Sequence, residues 1–240
     1  MWDSIINSIF VENQKFITSN DMDGKLAGML LQKYLNWEFA GLCDYNGQSS
    51  DEIWLVDPDF DLLDAVFVGV PVSDPDIFCI DSHFIAPDKA FIDTYMENGN
   101  KINPNVINGL VRWKDDNSSD FDQKYSFGTA HFVAETLINL GIVSGDILKK
   151  IDDLLSLDLD SNSSSGSNAG SDSDIDSVIE EFSKENDIPL LPFAEMVPFE
   201  GLNGKKDAVH KAVLNNVINV YDTFAFSFDS NYTISFTVYE

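Results

Sequence analysis

Two aspartates one residue apart, Asp21 and Asp23, stand where the chain could bind a cation. Residues 16–18 before them form a short strand-like run, and apolar side chains recur at helical spacing after Gly24. A strand that leads directly into a helix places the connecting turn at the carboxyl edge of an α/β sheet, where such folds bind ligands. Carboxylate oxygens suit Mg²⁺ or Mn²⁺. The alternative is that Asp21 or Asp23 only caps the helix.

A second acidic strand end follows further along the chain, at Asp81-Ser82-His83. This triplet comes directly after the apolar run 77–80, which we expect to be another strand. Asp81 offers a further carboxylate, and the position of His83 at a strand end favours a site residue over a core histidine. Asp81 and His83 are therefore the catalytic candidates.

The order of these features resembles the DHH phosphoesterase superfamily, which includes single-strand-specific exonucleases, nanoRNases, cyclic-dinucleotide phosphodiesterases and some inorganic pyrophosphatases. The likeness covers roughly residues 14–160, and the sharp matches are Asp21, Asp23, Gly24, Asp81 and His83. The resemblance implies a two-lobed α/β protein that holds two Mn²⁺ or Mg²⁺ ions in its cleft. The ions would activate a bridging water for hydrolysis of a phosphodiester.

The chain departs from the family at two positions. Ser82 stands where the family has the first His of the triplet, which is a metal ligand. Gly69, in the apolar run 66–70, stands where the family has an Asp that bridges both ions. A neutral Ser and a missing bridge remove charge and geometry from the site, so two tightly held ions are not expected.

Two further aspartates complete the candidate set. Asp57 follows the apolar run 53–56 and could substitute for the missing bridge. Asp158 or Asp160, at the end of a predicted helix, could match the last aspartate of the family. We expect weak binding of Mn²⁺ or Mg²⁺ at one site, with ligands drawn from Asp21, Asp23, Asp57, Asp81 and Asp158.

Strand-like and helical segments alternate through the first part of the chain, which predicts a mostly parallel sheet flanked by helices. Only six residues separate Val70 from Ile77. That length permits either an extended return between parallel strands or an antiparallel hairpin. A later helix begins at Gly128-Thr129, with Thr129 as a plausible cap, and His131 in its first turn could face the cleft or pack at the helix end.

Residues 161–174 contain Ser, Gly, Asn, Asp and a single Ala. Such a composition cannot bury much apolar surface, so we expect a flexible linker. The linker would separate a DHH-like α/β domain, residues 1–160, from a smaller α+β unit, residues 175–240. Alternation with a period of two at 223–239 predicts that this unit ends in a β-hairpin.

Composition narrows the possible functions. The 240-residue chain has a formal net charge of −27 and only 14 Lys and Arg, which excludes a general nucleic-acid coat protein. Cys43 and Cys79 lie in or beside apolar runs and are expected to be buried free thiols. No signal peptide and no apolar run of about 18 residues is evident, so we expect a soluble cytoplasmic protein.

Two classes of function remain open from the sequence. The first is a metal-dependent phosphoesterase that acts on a nucleotide, a cyclic dinucleotide or a short single-stranded nucleic acid. The second is an inactive protein of the same fold that binds a nucleotide in the old cleft or a basic protein on its acidic surface. The resemblance supports the first class, whereas Ser82 and Gly69 support the second.

Overall fold

The computed structural model describes residues 2–44, 52–70, 72, 77–82, 100–104, 127–163, 172–193 and 196–198. The helices are α1 (Trp2–Ile9), α2 (Met22–Leu35), α3 (Thr129–Asn139), α4 (Asp146–Ser163) and α5 (Asp172–Asn186). The strands are β1 (Lys15–Ser19), β2 (Glu38–Asp44), β3 (Glu52–Leu55), β4 (Ala65–Val68), β5 (Phe78–Ile80), β6 (Lys101–Ile102) and β7 (Val197–Pro198). His83 and the predicted hairpin at 223–239 lie outside the described residues.

The strands form one mixed sheet in the order β6-β5-β4-β1-β2-β3-β7. The five strands from β6 to β2 are parallel, whereas β3 is antiparallel to β2 and β7 is antiparallel to β3. The predicted α/β class with a mostly parallel sheet is therefore confirmed. Strands β4 and β5 are parallel, which excludes the antiparallel hairpin that the short connection between Val70 and Ile77 also permitted.

Alternate residues of the central strands face two hydrophobic clusters. Phe16, Val66 and Val68 pack in the first cluster, to which all five described helices contribute. Ile17 and Phe67 face the second cluster on the other side of the sheet. Burial on both faces explains why the sequence of β4 is continuously apolar. Within the described part of the chain, no helix has the length and apolar character needed to cross a membrane.

The segment after the predicted linker packs on the same core. Helix α4 extends to Ser163 and α5 begins at Asp172, so the helices reach into both ends of the predicted linker. Ile179 and Phe182 of α5 belong to the first hydrophobic cluster. The ammonium group of Lys25 in α2 lies 3.3 Å from Asp176 of α5. The described part of the predicted second unit is thus docked on the first, and the division into two domains stays a prediction.

Phe182→Ala should reduce the free energy of unfolding of the whole protein by about 3 kcal/mol, because it leaves a cavity in the shared core. Chemical denaturation monitored by both tryptophan fluorescence and circular dichroism would measure the loss. Leu190→Ala is the control, since Leu190 is 42% exposed and should change stability by less than about 1 kcal/mol. Two separate transitions, with only one of them shifted by Phe182→Ala, would instead support an independent second unit.

Candidate functional site

Three neighbouring parallel strands end together at one side of the sheet, which we call the carboxyl edge. In the pairing of these strands, Thr18 of β1 lies beside Val68 of β4, which lies beside Ile80 of β5. The next residues, Ser19, Gly69 and Asp81, therefore occupy adjacent positions. The turn after β1 and the start of the triplet at Asp81 meet at one edge of the sheet, as the sequence predicts.

Asp21 caps helix α2. Its carboxylate oxygen Oδ1 accepts a hydrogen bond from the backbone N–H of Gly24 at 2.7 Å and another from the hydroxyl of Ser19 at 2.8 Å. The backbone of Asp21 is extended, as is usual for an N-cap residue. Asp21 is therefore the N-cap of α2, and its role as a metal ligand stays a prediction.

Asp23 binds the start of a different helix, α3. Its oxygen Oδ2 accepts the backbone N–H of Thr129 at 2.6 Å, and Oδ1 accepts that of Ala130 at 2.9 Å. The N-cap position of α3 is Gly128, not Thr129, and a Cβ atom at Gly128 would collide with the carboxylate of Asp23. Glycine is needed there because the carboxylate takes the space that a side chain would fill.

The hydroxyl of Thr129 faces β5. Oγ1 of Thr129 accepts the backbone N–H of Ser82 at 3.3 Å and lies 3.2 Å from Oγ of Ser82. Asp81 beside it is 1% exposed. Asp23, Thr129 and Ser82 therefore form a connected polar group that joins α2, α3 and the end of β5.

Gly69 closes the middle of the carboxyl edge. Its φ angle is +71°, and a Cβ atom there would lie 2.6 Å from Oγ of Ser19 and 3.3 Å from Cα of Gly24. Its N–H donates to the carbonyl of Ile80 at 2.8 Å, which fixes the position of the backbone. The end of β4 therefore has no room for the bridging carboxylate that the family resemblance implies.

Asp57 lies at the opposite edge of the sheet. Strand β3 runs antiparallel to β2, and the N–H of Val56 donates to the carbonyl of Ala40 near the start of β2. In agreement, the ammonium group of Lys15, at the start of β1, lies 5.3 Å from the centroid of the Phe60 ring. The structure thus separates Asp57 from Asp21, Asp23 and Asp81 by about the length of a strand, roughly 15 Å.

The roles predicted for the late aspartate and for the histidine of the triplet stay predictions. Asp158 lies within α4 rather than after a helix, because α4 continues to Ser163, and its side chain is outside the described part. Asp160 lies in the same helix. His83 is outside the described residues altogether.

The described residues do not fit the two-ion centre that the resemblance implies. Oδ1 of Asp21 and both carboxylate oxygens of Asp23 accept backbone N–H groups, and Gly69 offers no bridging oxygen. Among the residues that the structure describes, no group of three or more His, Cys, Asp or Glu side chains is arranged to hold a metal ion.

Two ionisable residues near this edge have structural contacts. Nε2 of His131 in α3 lies 2.6 Å from Oδ1 of Asp152 in α4, so His131 joins these two helices.

Burial raises the pKa of the Cys79 thiol to about 12, an effect that Lys101 opposes and Asp81 reinforces. The thiol donates a hydrogen bond to the carbonyl of Val70 at 3.0 Å. A thiol that stays protonated is not a nucleophile.

One feature of the sequence indicates that α3 needs an acceptor such as Asp23. Helix α3 begins with Gly128 at the N-cap, where no side chain can accept its first N–H groups. Such a helix needs an acceptor from elsewhere in the chain. Spacing along the sequence could not identify Asp23 as that acceptor, because more than 100 residues separate Asp23 from Thr129.

Comparison of the chain with family models, with curated proteins and with solved structures gives no significant match. The resemblance to the DHH phosphoesterases therefore stays a prediction from the motifs.

Gly69→Ala should destabilise the protein more than Gly141→Ala. Both glycines have positive φ angles, +71° and +73°, but nothing lies within 4 Å of a Cβ atom at Gly141. We expect a loss of about 1 kcal/mol at Gly141 from backbone strain alone, and about 2–4 kcal/mol at Gly69, where Ser19 is displaced as well. Urea denaturation measures both losses, and equal values would contradict the close packing of Gly69.

Proposed function

We propose that this chain is a catalytically inactive, DHH-phosphoesterase-like α/β protein that acts by binding a basic protein. Gly69 is the observation that carries the first half of the proposal. Hydrolysis by two ions needs a ligand that holds them about 3.5–4 Å apart. At the end of β4 that ligand is replaced by a glycine whose Cβ position lies 2.6 Å from Oγ of Ser19. Asp57, the substitute considered from the sequence, is at the opposite edge of the sheet.

Exposed carboxylates at the opposite edge support the second half of the proposal. The loop between β3 and β4, which we call the acidic loop (residues 57–64), carries four exposed aspartates: Asp57, Asp59, Asp61 and Asp64. The sequence has no Lys or Arg between Lys33 and Lys89. Lys15 of β1 lies near the loop at Phe60 but offsets only one of these four charges, so the acidic loop keeps an excess of negative charge.

The acidic loop has a fixed shape. The N–H of Asp59 donates to the carboxylate of Asp57 at 2.9 Å, which closes one turn. Phe60 and Leu62 are 8% and 3% exposed, so they anchor the loop in the second hydrophobic cluster. Leu63 between the aspartates is 41% exposed. A preordered surface with charges around an apolar residue suits a protein partner, because little conformational entropy is lost on binding.

A basic protein suits this chain better than a nucleotide. Phosphate groups commonly bind at helix N-termini. The N-termini of α2 and α3 already carry the carboxylates of Asp21 and Asp23, which would repel a phosphate. The net charge of −27 adds to that repulsion and accelerates encounter with a cationic partner.

A decalysine peptide is a suitable first probe of the acidic loop. We expect Asp59→Asn combined with Asp64→Asn to weaken its binding by about five-fold in low salt, since each exposed charge pair contributes up to about 1 kcal/mol. Isothermal titration calorimetry measures the change. Raising the salt concentration should reduce the difference between the variant and the wild type.

The matched control is Glu181→Gln combined with Glu185→Gln, which removes two exposed charges from α5. We expect this control to change binding by less than about two-fold, because α5 packs on the face of the sheet opposite the cluster that anchors the acidic loop and carries Lys184 between the two glutamates. Equal losses in the two variants would mean that only the overall charge matters, and would overturn the assignment to the acidic loop.

A metal-dependent phosphoesterase is the second candidate, favoured by one observation. Asp81 is 1% exposed at the end of β5, and a buried carboxylate at a strand end is a common feature of catalytic sites. In this candidate, one weakly held Mn²⁺ or Mg²⁺ would bind Asp21 and Asp23, with help from Asp81 or His83. The substrate would be a nucleotide, a cyclic dinucleotide or a short single-stranded nucleic acid.

An assay with Mn²⁺ separates the two candidates. We expect no release of product from cyclic dinucleotides or short oligonucleotides above the level of Asp81→Asn, because the bridging ligand is missing. Mg²⁺ should give the same result. Turnover that Asp81→Asn abolishes would overturn the inactive assignment and support the phosphoesterase.

The proposal includes a cytoplasmic location. Cys43 and Cys79 are both free and both buried, which agrees with the sequence prediction. Free thiols are the usual state of cysteines in reducing compartments. This property supports the cytoplasm, where a basic protein partner would also be accessible.

A further inference from the structure

Two of the described helices, α2 and α3, begin at the carboxyl edge, and each has a carboxylate at its N-terminus. The carboxylate of Asp21 accepts the N–H of Gly24 in the first turn of α2. The carboxylate of Asp23 accepts the N–H groups of Thr129 and Ala130, which open α3. Asp23 thus belongs to one helix and completes the hydrogen bonding of another.

The N-termini of α2 and α3 supply positive charge to the two carboxylates, as a bound cation would. The first N–H groups of a helix have no partner within the helix, and the N-terminus carries the equivalent of roughly +0.5 elementary charge. Hydrogen bonds from N–H groups to an ionised carboxylate are short and strong. The distances of 2.6 and 2.9 Å at Asp23 agree with such bonds. Two helix ends together therefore offer about the charge of one monovalent cation to the pair of carboxylates.

We infer that the N-termini of α2 and α3 replace divalent cations as the partners of Asp21 and Asp23, so that the carboxyl edge assembles without metal. Asp23 is then a positioning residue that docks α3 on the sheet. The surroundings support this role, since Gly128 leaves room for the carboxylate and Thr129 continues the contact to Ser82. The inference deepens the proposed function, because it assigns a structural purpose to the residues that match catalytic ligands in the family.

An empty metal site and a pair of carboxylates bound to helix N-termini predict opposite changes in stability when Asp23 is neutralised. In an empty metal site, clustered carboxylates repel one another, so removing one charge stabilises the metal-free protein. In the arrangement described here, Asp23→Asn removes an ionised acceptor from two N–H groups and turns an amide donor towards one of them. The change should therefore destabilise the protein even though it lowers a net charge of −27.

Thermal unfolding in EDTA tests this prediction. We expect Asp23→Asn to lower the midpoint by roughly 5–10 °C. Asp64→Asn is the matched control, because Asp64 is an exposed aspartate of the acidic loop and its neutralisation should leave the midpoint unchanged or slightly higher. A midpoint of Asp23→Asn above that of the wild type would overturn the inference.

The response of the wild-type protein to metal is an independent test that requires no variant. Replacing EDTA with 1 mM Mn²⁺ or Mg²⁺ should shift the midpoint by less than about 1 °C, because the carboxylates already have partners. A rise of several degrees with Mn²⁺ would mean that a cation competes successfully for Asp21 and Asp23. That outcome would overturn the inference and support the weak single-ion site expected from the sequence.

Amide hydrogen exchange tests the contact itself. First-turn N–H groups exchange rapidly when they have no acceptor, so protection of Thr129 and Ala130 in metal-free protein would show that Asp23 holds them. We expect that protection to fall at least ten-fold in Asp23→Asn and to remain in Asp64→Asn. Rapid exchange at both amides in the wild type would overturn the inference.

These outcomes are distinguishable from a failure of the proposed function. Stabilisation by Mn²⁺ without turnover would overturn the inference that the carboxyl edge assembles without metal. It would leave the proposal of a basic protein partner intact. Turnover with Mn²⁺ would remove the inactive assignment. Unchanged binding of the lysine peptide on mutation of the acidic loop would affect the partner proposal alone.

Discussion

The hydrogen bonds from α3 to the carboxylate of Asp23 hold the carboxyl edge together. Without an acceptor, α3 would begin with unpaired N–H groups near the sheet, since Gly128 at its N-cap has no side chain to offer. Asp23 supplies that acceptor from α2, and Thr129 then reaches Ser82 at the end of β5. One ionised side chain thereby fixes the relative positions of two helices and a strand.

Close packing of small residues permits this arrangement. The turn after β1 lies against the end of β4, with Gly69 in contact with Ser19 and Gly24. A bulkier residue at Gly69 would push the two turns apart and move α2, and with it Asp23, away from α3. The same glycine that removes a bridging ligand therefore allows the hydrogen bonds that connect the helices. The absence of a side chain at Gly69 therefore explains both the missing metal ligand and the close approach of the two turns.

Local patterns predicted the parallel part of the fold but not the partners of the aspartates. Phe16 and Ile17 are buried on opposite faces of β1, and β4 is apolar throughout. Such patterns lie within single strands, so they can be read directly from the sequence. The contact of Asp23 with Thr129 joins residues 106 apart, and its existence depends on how α3 docks. The position of Asp57 at the opposite edge could not be predicted for a related reason. Only the pairing of β3 with β2 reveals that β3 runs in the opposite direction.

Direction also explains why the acidic surface and the carboxyl edge are separate. Parallel strands collect their following turns at one edge, whereas the single reversal at β3 sends the next turn, residues 57–64, to the other. At the carboxyl edge, the carboxylates of Asp21 and Asp23 accept N–H groups at helix N-termini. At the opposite edge, the aspartates are exposed and remain able to attract a partner. The chain thus uses Asp23 to join helices at the carboxyl edge, whereas the exposed aspartates of the acidic loop face water, where screening limits their mutual repulsion.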